Sequence, residues 1–293
     1  MQKRLDKVKE IITALESKTA YGISKNGHKY IMLGDSDGDS MLFNGLMSTV
    51  IHSADNWALN AVLDSQGENG MLYRSPRRKE INNKGYDAFF SRDMAMGVLC
   101  GMTNISFPEE AAKNWIAYID NLKEWYWLLY KFAPDSRSAI TPANWAIMGR
   151  VFKYRLWHKH GQMKKFDGFD GDFTVIEAQK TKIGYQLHLK VVVAYIKYLI
   201  NQSREYSQKI ASIALERVPD NIFYEFVSRR YFTIDMIDRF INISERVNFD
   251  NLGHAWIWEK DNIEDHLPVC CGWDLVFMGK LILTKQIDTN FEG

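Results

Sequence analysis

The stretch PEEAAKNWIAYIDNLKEWYWLLY, from Pro108 to Tyr130, decides the fold class. Ala112, Trp115, Ile119, Leu122, Tyr126 and Leu129 recur there at spacings of 3, 4, 3, 4 and 3, the period of one helix face. Ser106 and Glu109 stand at capping-box spacing where it opens. The same one-sided stripe returns at Tyr206, Ile210, Ile213 and Ala214, and at Ile237, Phe240, Ile241 and Val247. From Met1 to Ser17 it is carried by Leu5, Val8, Ile12 and Leu15. All of these read as amphipathic helices with one wet face.

A second set of segments is apolar on more than one face: Ser40 to Val50, Ser91 to Met102, Thr141 to Leu156, Gly184 to Ile200, Asn221 to Arg229 and Gly272 to Leu283. A helix apolar nearly all round is a buried helix. Thr141-Pro142 supplies a start signal for the third, with Thr as N-cap and Pro at the first helical position. Outer helices fall between several of these inner ones. The expectation is therefore an all-α fold, an (α/α) toroid of five or six helical hairpins; an irregular all-α bundle is the alternative. No Pro/Gly/Ser-rich linker interrupts residues 1–293, so the chain reads as one domain. Strand signals are confined to Gly27–Leu33 and the loop Ser65–Ser75, which predict minor hairpins at most.

Composition excludes several functions. Across 293 residues, Lys+Arg of 37 against Asp+Glu of 36 leaves a net charge of +1, and so no global field to hold nucleic acid. The apolar run Val191–Ile196 ends at Lys197, far short of the roughly 20 residues a membrane span needs. The N-terminus lacks the apolar run and cleavage site of a secretory signal, which predicts a cytoplasmic or virion-associated protein. Cys100, Cys270 and Cys271 are too few for a disulfide framework and include no CxxC pair, so neither a disulfide scaffold nor a thiolate zinc site is expected. Phosphate-loop, GxGxxG, GxSxG and HExxH signatures are all missing, and no cofactor is expected.

Polar and aromatic residues gather at the starts of the inner helices. Asp35, Asp37 and Asp39 precede the first, and Arg92 and Asp93 open the second. Asn144 and Trp145 stand at the third, Tyr185 and His188 at the fourth, Tyr224 and Glu225 at the fifth, Trp273 and Asp274 at the last. If the inner helices run parallel, these clusters converge on one mouth, where positive helix ends favour carboxylates. Asp35, Asp37 and Asp39 match positions 1, 3 and 5 of an EF-hand loop, but Ser40 and Leu46 replace its Gly and Glu, so that motif fails. A different calcium or magnesium site at these acids stays open. Asp39 or Ser40 is expected to cap the helix, and crowding of three carboxylates is expected to raise at least one pKa, as suits a general acid. Asp93 is the second carboxylate and Arg92 a substrate clamp; a helix cap with a structural ion pair reads equally well. Glycosidic hydrolysis needs such a pair of carboxyls across the scissile bond.

Trp145 and Trp273 could stack on sugar rings, and His188, Glu225 and Asp274 complete the candidate binding set. For His188 a packed core histidine is the competing reading. Glu177 is a spare carboxylate, and Phe166–Phe173 is an acidic, Gly-broken loop. Arg74, Arg77, Arg78 and Lys79 form a basic run that reads by default as a solvated face.

Asp37–Leu46, Asp64-Ser65-Gln66 leading to Tyr73-Arg74-Ser75-Pro76, Phe90–Gly97 and Gly272-Trp273-Asp274 together resemble the six-hairpin (α/α)-toroid glycosidase superfamily, and within it bacteriophage-associated polysaccharide-degrading or uncharacterised toroid proteins. The resemblance implies an acid-catalysed sugar-cleaving site at the ring mouth carried by Asp37, Asp39 and Asp93, with a bacterial surface or capsular polysaccharide as partner. A lyase acting through His188 or a tyrosine is the alternative within that chemistry. Isoprenoid cyclisation lacks its DxDD, and a non-catalytic glycan-binding or structural virion protein is the reading outside enzymes.

Overall fold

The computed structural model describes residues 1–33, 37–83, 90–118, 178–200 and 204–288. In chain order its elements are α1 (Gln2–Glu16), β1 (Tyr21–Ile23), β2 (Lys29–Ile31), α2 (Ser40–Ser48), α3 (Trp57–Asp64), α4 (Pro76–Glu80), α5 (Arg92–Met102), α6 (Tyr185–Leu199), α7 (Arg204–Arg217), α8 (Ile222–Arg229), β3 (Phe232–Thr233), α9 (Ile234–Glu245), α10 (Ile263–His266), α11 (Trp273–Thr284) and β4 (Ile287–Asp288). Residues 109–118 are also helical and bury Ala112 and Trp115, the first part of the stripe that opens the sequence argument; its remainder lies outside the described residues. The fold is all-α in class. Among the described residues, strands amount to the β1–β2 hairpin, which pairs Tyr21 with Ile31, and the two-residue parallel pair β3–β4. Helix starts follow local chemistry: Asn56, Ser75, Ser91, Asn221 and Thr233 each accept the N–H three residues on, satisfying one donor left open at a helix start.

Two compact units emerge, dividing at Ala20–Tyr21, where no Pro, Gly or Ser run marks a boundary. The hairpin unit holds β1, β2 and α2 to α5. All nine residues of α2 are buried, as its all-round apolarity predicts. Its main partner is α5, and α3 packs against α2. Contacts advance in the same direction along both inner helices. Gly97 lies against Met41, Leu42 and Gly45, Gly101 faces Ser48, and Asn104 just past α5 donates to the Ser48 carbonyl. Thus α2 and α5 run parallel, with their N-termini at one end.

The tryptophan unit holds α1 and α6 to α11. Within it, His188 meets Phe223 and Tyr224, Tyr195 meets Phe223 and Phe226, and Tyr198 meets Phe226, so α6 and α8 are also parallel. Between them in sequence, α7 packs on both. A buried segment, Trp256-Ile257-Trp258, ties helix starts together. Asn221 donates to the Trp258 carbonyl, the Ile257 N–H donates to the Asp274 carboxylate, and the Trp258 indole donates to the Asp274 carbonyl, each at 2.8 Å. On the other side α1 covers α11 antiparallel: Leu15 and Thr19 lie by Gly272, and Ile12 by Gly279. Among the described residues no helix is long and apolar enough to cross a membrane.

The α2–α5 crossing makes a sharp prediction. A Cβ at Gly97 would lie far inside van der Waals contact distance of the Met41 carbonyl oxygen, and one at Gly45 far inside that of the Gly97 carbonyl. Gly97→Ala should destabilise the protein by about 2 kcal/mol or more. By contrast, a Cβ at Gly101 meets nothing closer than 3.7 Å. Gly101→Ala should be neutral or stabilise by up to about 1 kcal/mol through helix propensity. Denaturant midpoints of the two variants check the pair; equal effects would mean the crossing is not as tight as drawn.

Candidate functional site

In the hairpin unit the acidic loop meets α4. Ser75 caps that short helix and Pro76 opens it, placing Arg77 and Arg78 in the first turn. Both turn to Asp37. Arg77 bonds its two carboxylate oxygens at 3.1 and 3.0 Å, and Arg78 bonds Oδ2 at 2.6 Å. The Asp37 side chain is 1% exposed. Burial alone pushes its carboxyl up, but the hydrogen bonds and charges of the two arginines outweigh that and hold its pKa below the ordinary value. The rise expected from crowding is thus reversed at Asp37, because guanidinium groups rather than carboxylates are its nearest charges. Nor are Arg77 and Arg78 a merely solvated run. Ser75-Pro76 has the form of a helix start, but nothing in it names the partner of the arginines that follow.

Asp39 occupies the N-cap position of α2, yet its side chain makes no capping bond there. It is 37% exposed, and Arg74 reaches it at 3.3 Å while also bonding the Gly38 carbonyl. Ser40, the other expected cap, turns away and donates to the Ile31 carbonyl at 2.7 Å, tying α2 to β2. Asp93 lies in the first turn of α5, and Arg92 begins that helix. Since α2 and α5 are parallel, Asp39 and Asp93 stand at the same end of the unit. Asp35, Trp145, Glu177 and the loop Phe166–Phe173 lie outside the described residues. Among those described, no group of three or more His, Cys, Asp or Glu side chains comes together to hold a metal. With two guanidinium groups on Asp37, that carboxylate is already neutralised.

In the tryptophan unit, the expected substrate-binding residues are mostly engaged in structure. Trp273 is fully buried, and its indole donates to the Ala20 carbonyl at 2.7 Å. Asp274 is 0% exposed. Burial raises its pKa above the ordinary value, although the Ile257 and Leu275 N–H groups and the Cys270 thiol all donate to it. Glu225 is buried between α8 and α9, bonded to Arg229 at 2.9 Å and to Arg239. Each of the three is buried and bonded to a neighbouring element of the unit. Their positions at helix starts, which suggested a mouth, instead serve to join elements.

His188 differs. It is 1% exposed, and apart from the Trp258 main chain, which faces the ring, neither ring nitrogen has a hydrogen-bond partner. Burial pushes its pKa down to about 3, so the ring is neutral. Tyr224 stacks beside it at 6.3 Å, and its hydroxyl, also buried, has no partner. Sequence placed both residues at helix starts, but nothing in it distinguishes a bonded hydroxyl from a bare one.

No protein-family model, curated protein or solved structure matches the chain.

Asp37 gives the second prediction. Asp37→Asn removes the buried carboxylate that Arg77 and Arg78 share and should cost about 3 kcal/mol at neutral pH. Because the folded pKa is depressed, the carboxylate's contribution is complete above its unfolded value near 4, about the ordinary carboxylate range, and is lost as pH falls through the lower folded value. The stability gap between wild type and Asp37→Asn should therefore close in acid. A gap constant down to about pH 2 would contradict the buried ion triad.

Proposed function

We propose that the chain is a carbohydrate-active enzyme of the (α/α)-toroid class, a glycoside hydrolase of bacterial surface or capsular polysaccharide in which Asp39 and Asp93 are the two working carboxyls. The observation that carries this reading is the parallel α2–α5 pair, which sets both carboxyls at one end of the unit. Hydrolysis requires one group to give a proton while the other activates water or attacks, and two helix starts side by side supply such a pair. Asp37 does not carry the proton. A general acid must be protonated near working pH, and two arginines hold Asp37 ionised. Its role is positional: it anchors α4, from whose approach Arg74 reaches Asp39. The toroid itself is supported by the repeated pattern within each unit, parallel inner helices with a further helix packed beside them.

The test is cleavage of a panel of capsular, O-antigen and uronate polysaccharides, read by new reducing ends and by loss of polymer size. Asp39→Asn and Asp93→Asn should each lower the rate at least about a hundredfold while leaving the melting temperature within a few degrees. Asp37→Asn should lower activity and stability together. Cleavage accompanied by the ultraviolet absorbance of an unsaturated uronate would replace the hydrolase with a lyase. Binding of a polymer without any cleavage would replace it with a glycan-binding protein.

A further inference from the structure

The His188–Tyr224 pair is unlike the other polar residues at the helix starts of the tryptophan unit. Asn221 and Asp274 have their hydrogen bonds made within the protein. His188 and Tyr224 lie within the same framework, stacked and buried, with the phenol bare and the imidazole meeting nothing polar beyond the Trp258 main chain. Buried polar groups are nearly always bonded, and each that is not calls for an occupant or another cause. Between them, a neutral imidazole and a phenol offer two donors and acceptors for one small polar group.

The surroundings select what that group can be. Phe223 packs on His188 at 5.5 Å and Phe277 packs on Phe223 at 5.7 Å, so the ring's neighbourhood is aromatic and buried. The nearby charges are already engaged. Lys260 pairs with Glu259 at 2.9 Å, and Arg217 donates to the Ala178 carbonyl at 2.7 Å. The burial that keeps His188 neutral would equally penalise a bare anion. An uncharged hydroxyl fits both partners, since it can donate to one and accept from the other. Solvent is one turn away: Tyr185, three residues before His188 at the start of α6, is 55% exposed. Helical side chains lean toward the N-terminus, which tilts the imidazole toward the start of α6.

We propose that His188 and Tyr224 form a subsite for an uncharged sugar residue, one of whose hydroxyl groups donates to the bare imidazole nitrogen while accepting from the Tyr224 phenol. That the hydroxyl belongs to a sugar rests on the function proposed above; that the pair takes a neutral hydroxyl does not. A site built to hydrogen-bond a hydroxyl discriminates strongly against an analogue lacking it, because its own polar groups are then left bare.

The experiment uses the full chain with carbon-13-labelled histidine, following the His188 ring resonance during titration. The probes are glycerol, methyl glycosides of glucose, galactose, mannose and N-acetylglucosamine, and, as anions, acetate and glucuronate. At least one neutral probe should move the resonance saturably, and Tyr224→Phe should weaken that binding by about tenfold or more. The same variant removes a hydroxyl that bonds nothing in the protein, so its melting temperature should match or exceed wild type. No saturable shift with any probe would overturn the subsite, leaving the gap to solvent. A response to the anions alone would overturn its neutral character, and a Tyr224→Phe melting temperature several degrees lower would show the phenol to be bonded structurally. Saturable binding in a protein that cleaves no polymer would keep the subsite and sink the hydrolase; cleavage without any shift would do the reverse.

Discussion

Two helix backbones can touch only where neither carries a side chain, and α2 and α5 touch at Gly45 and Gly97. Helix axes ordinarily pack 8–10 Å apart, held off by the residues between them. Removing Cβ from both sides of the crossing lets carbonyl meet backbone and fixes the register of one helix on the other. With register and direction set, the residues that begin the two helices are brought to one end. The placement of Asp39 and Asp93 at one end of the unit is therefore a consequence of two glycines several residues away. Side chains around the crossing, including Met41, Leu42, Val98 and Leu99, are then buried by the approach.

A second constraint acts on the loop leading into α2. An aspartate that is 1% exposed survives as a carboxylate only when its charge is matched, and Arg77 and Arg78 match it with three hydrogen bonds. Arg78 is itself largely buried, whereas Arg77 keeps 45% of its side chain in water. The pair is thus asymmetric: one guanidinium is held largely inside the protein and the other is shared with solvent. This cluster does not resemble a catalytic acid electrostatically. Its contribution is to fasten α4 against the acidic loop, so that Arg74, just before that helix, lies across Gly38 and Asp39.

Much of the helical layout was legible because burial leaves a periodic trace. The all-round apolar segments Ser40–Val50 and Gly184–Ile200 became α2 and α6, and Gly27–Leu33 supplied β2. The apolar segments read from Ser91 and Asn221 became α5 and α8, each capped by that first residue. Side-chain partnerships were not legible. Arg77 and Arg78 are charged residues in a polar stretch, and only the fold decides whether they face water or Asp37. The same limit explains Trp273, Asp274 and Glu225. A polar or aromatic residue at a helix start can serve a ligand or a neighbouring element, and in the sequence these look alike. Helix α9 shows the limit at finer scale, since Ile243, absent from the periodic stripe, is buried along with Ile237 and Phe240.

The distinction between those two uses is one of satisfied bonds. Asp274 is as buried as His188, but donors from Ile257, Leu275 and Cys270 surround its carboxylate. Its burial is compensated inside the protein, and its effect is to hold the Trp256–Trp258 segment against α11 through that bond and the Trp258 indole. His188 receives no such compensation, yet neighbouring positions are apolar and Leu187 beside it is fully buried. A leucine or phenylalanine at 188 would fill the space without leaving nitrogen atoms bare, and would be expected wherever packing alone decides. Folding stability therefore does not account for an imidazole at this position, nor for a phenol rather than a phenyl ring at Tyr224. Two neighbouring departures from the cheaper apolar choice, on parallel helices and in contact with each other, are better explained by a shared polar occupant than by independent accidents of the core.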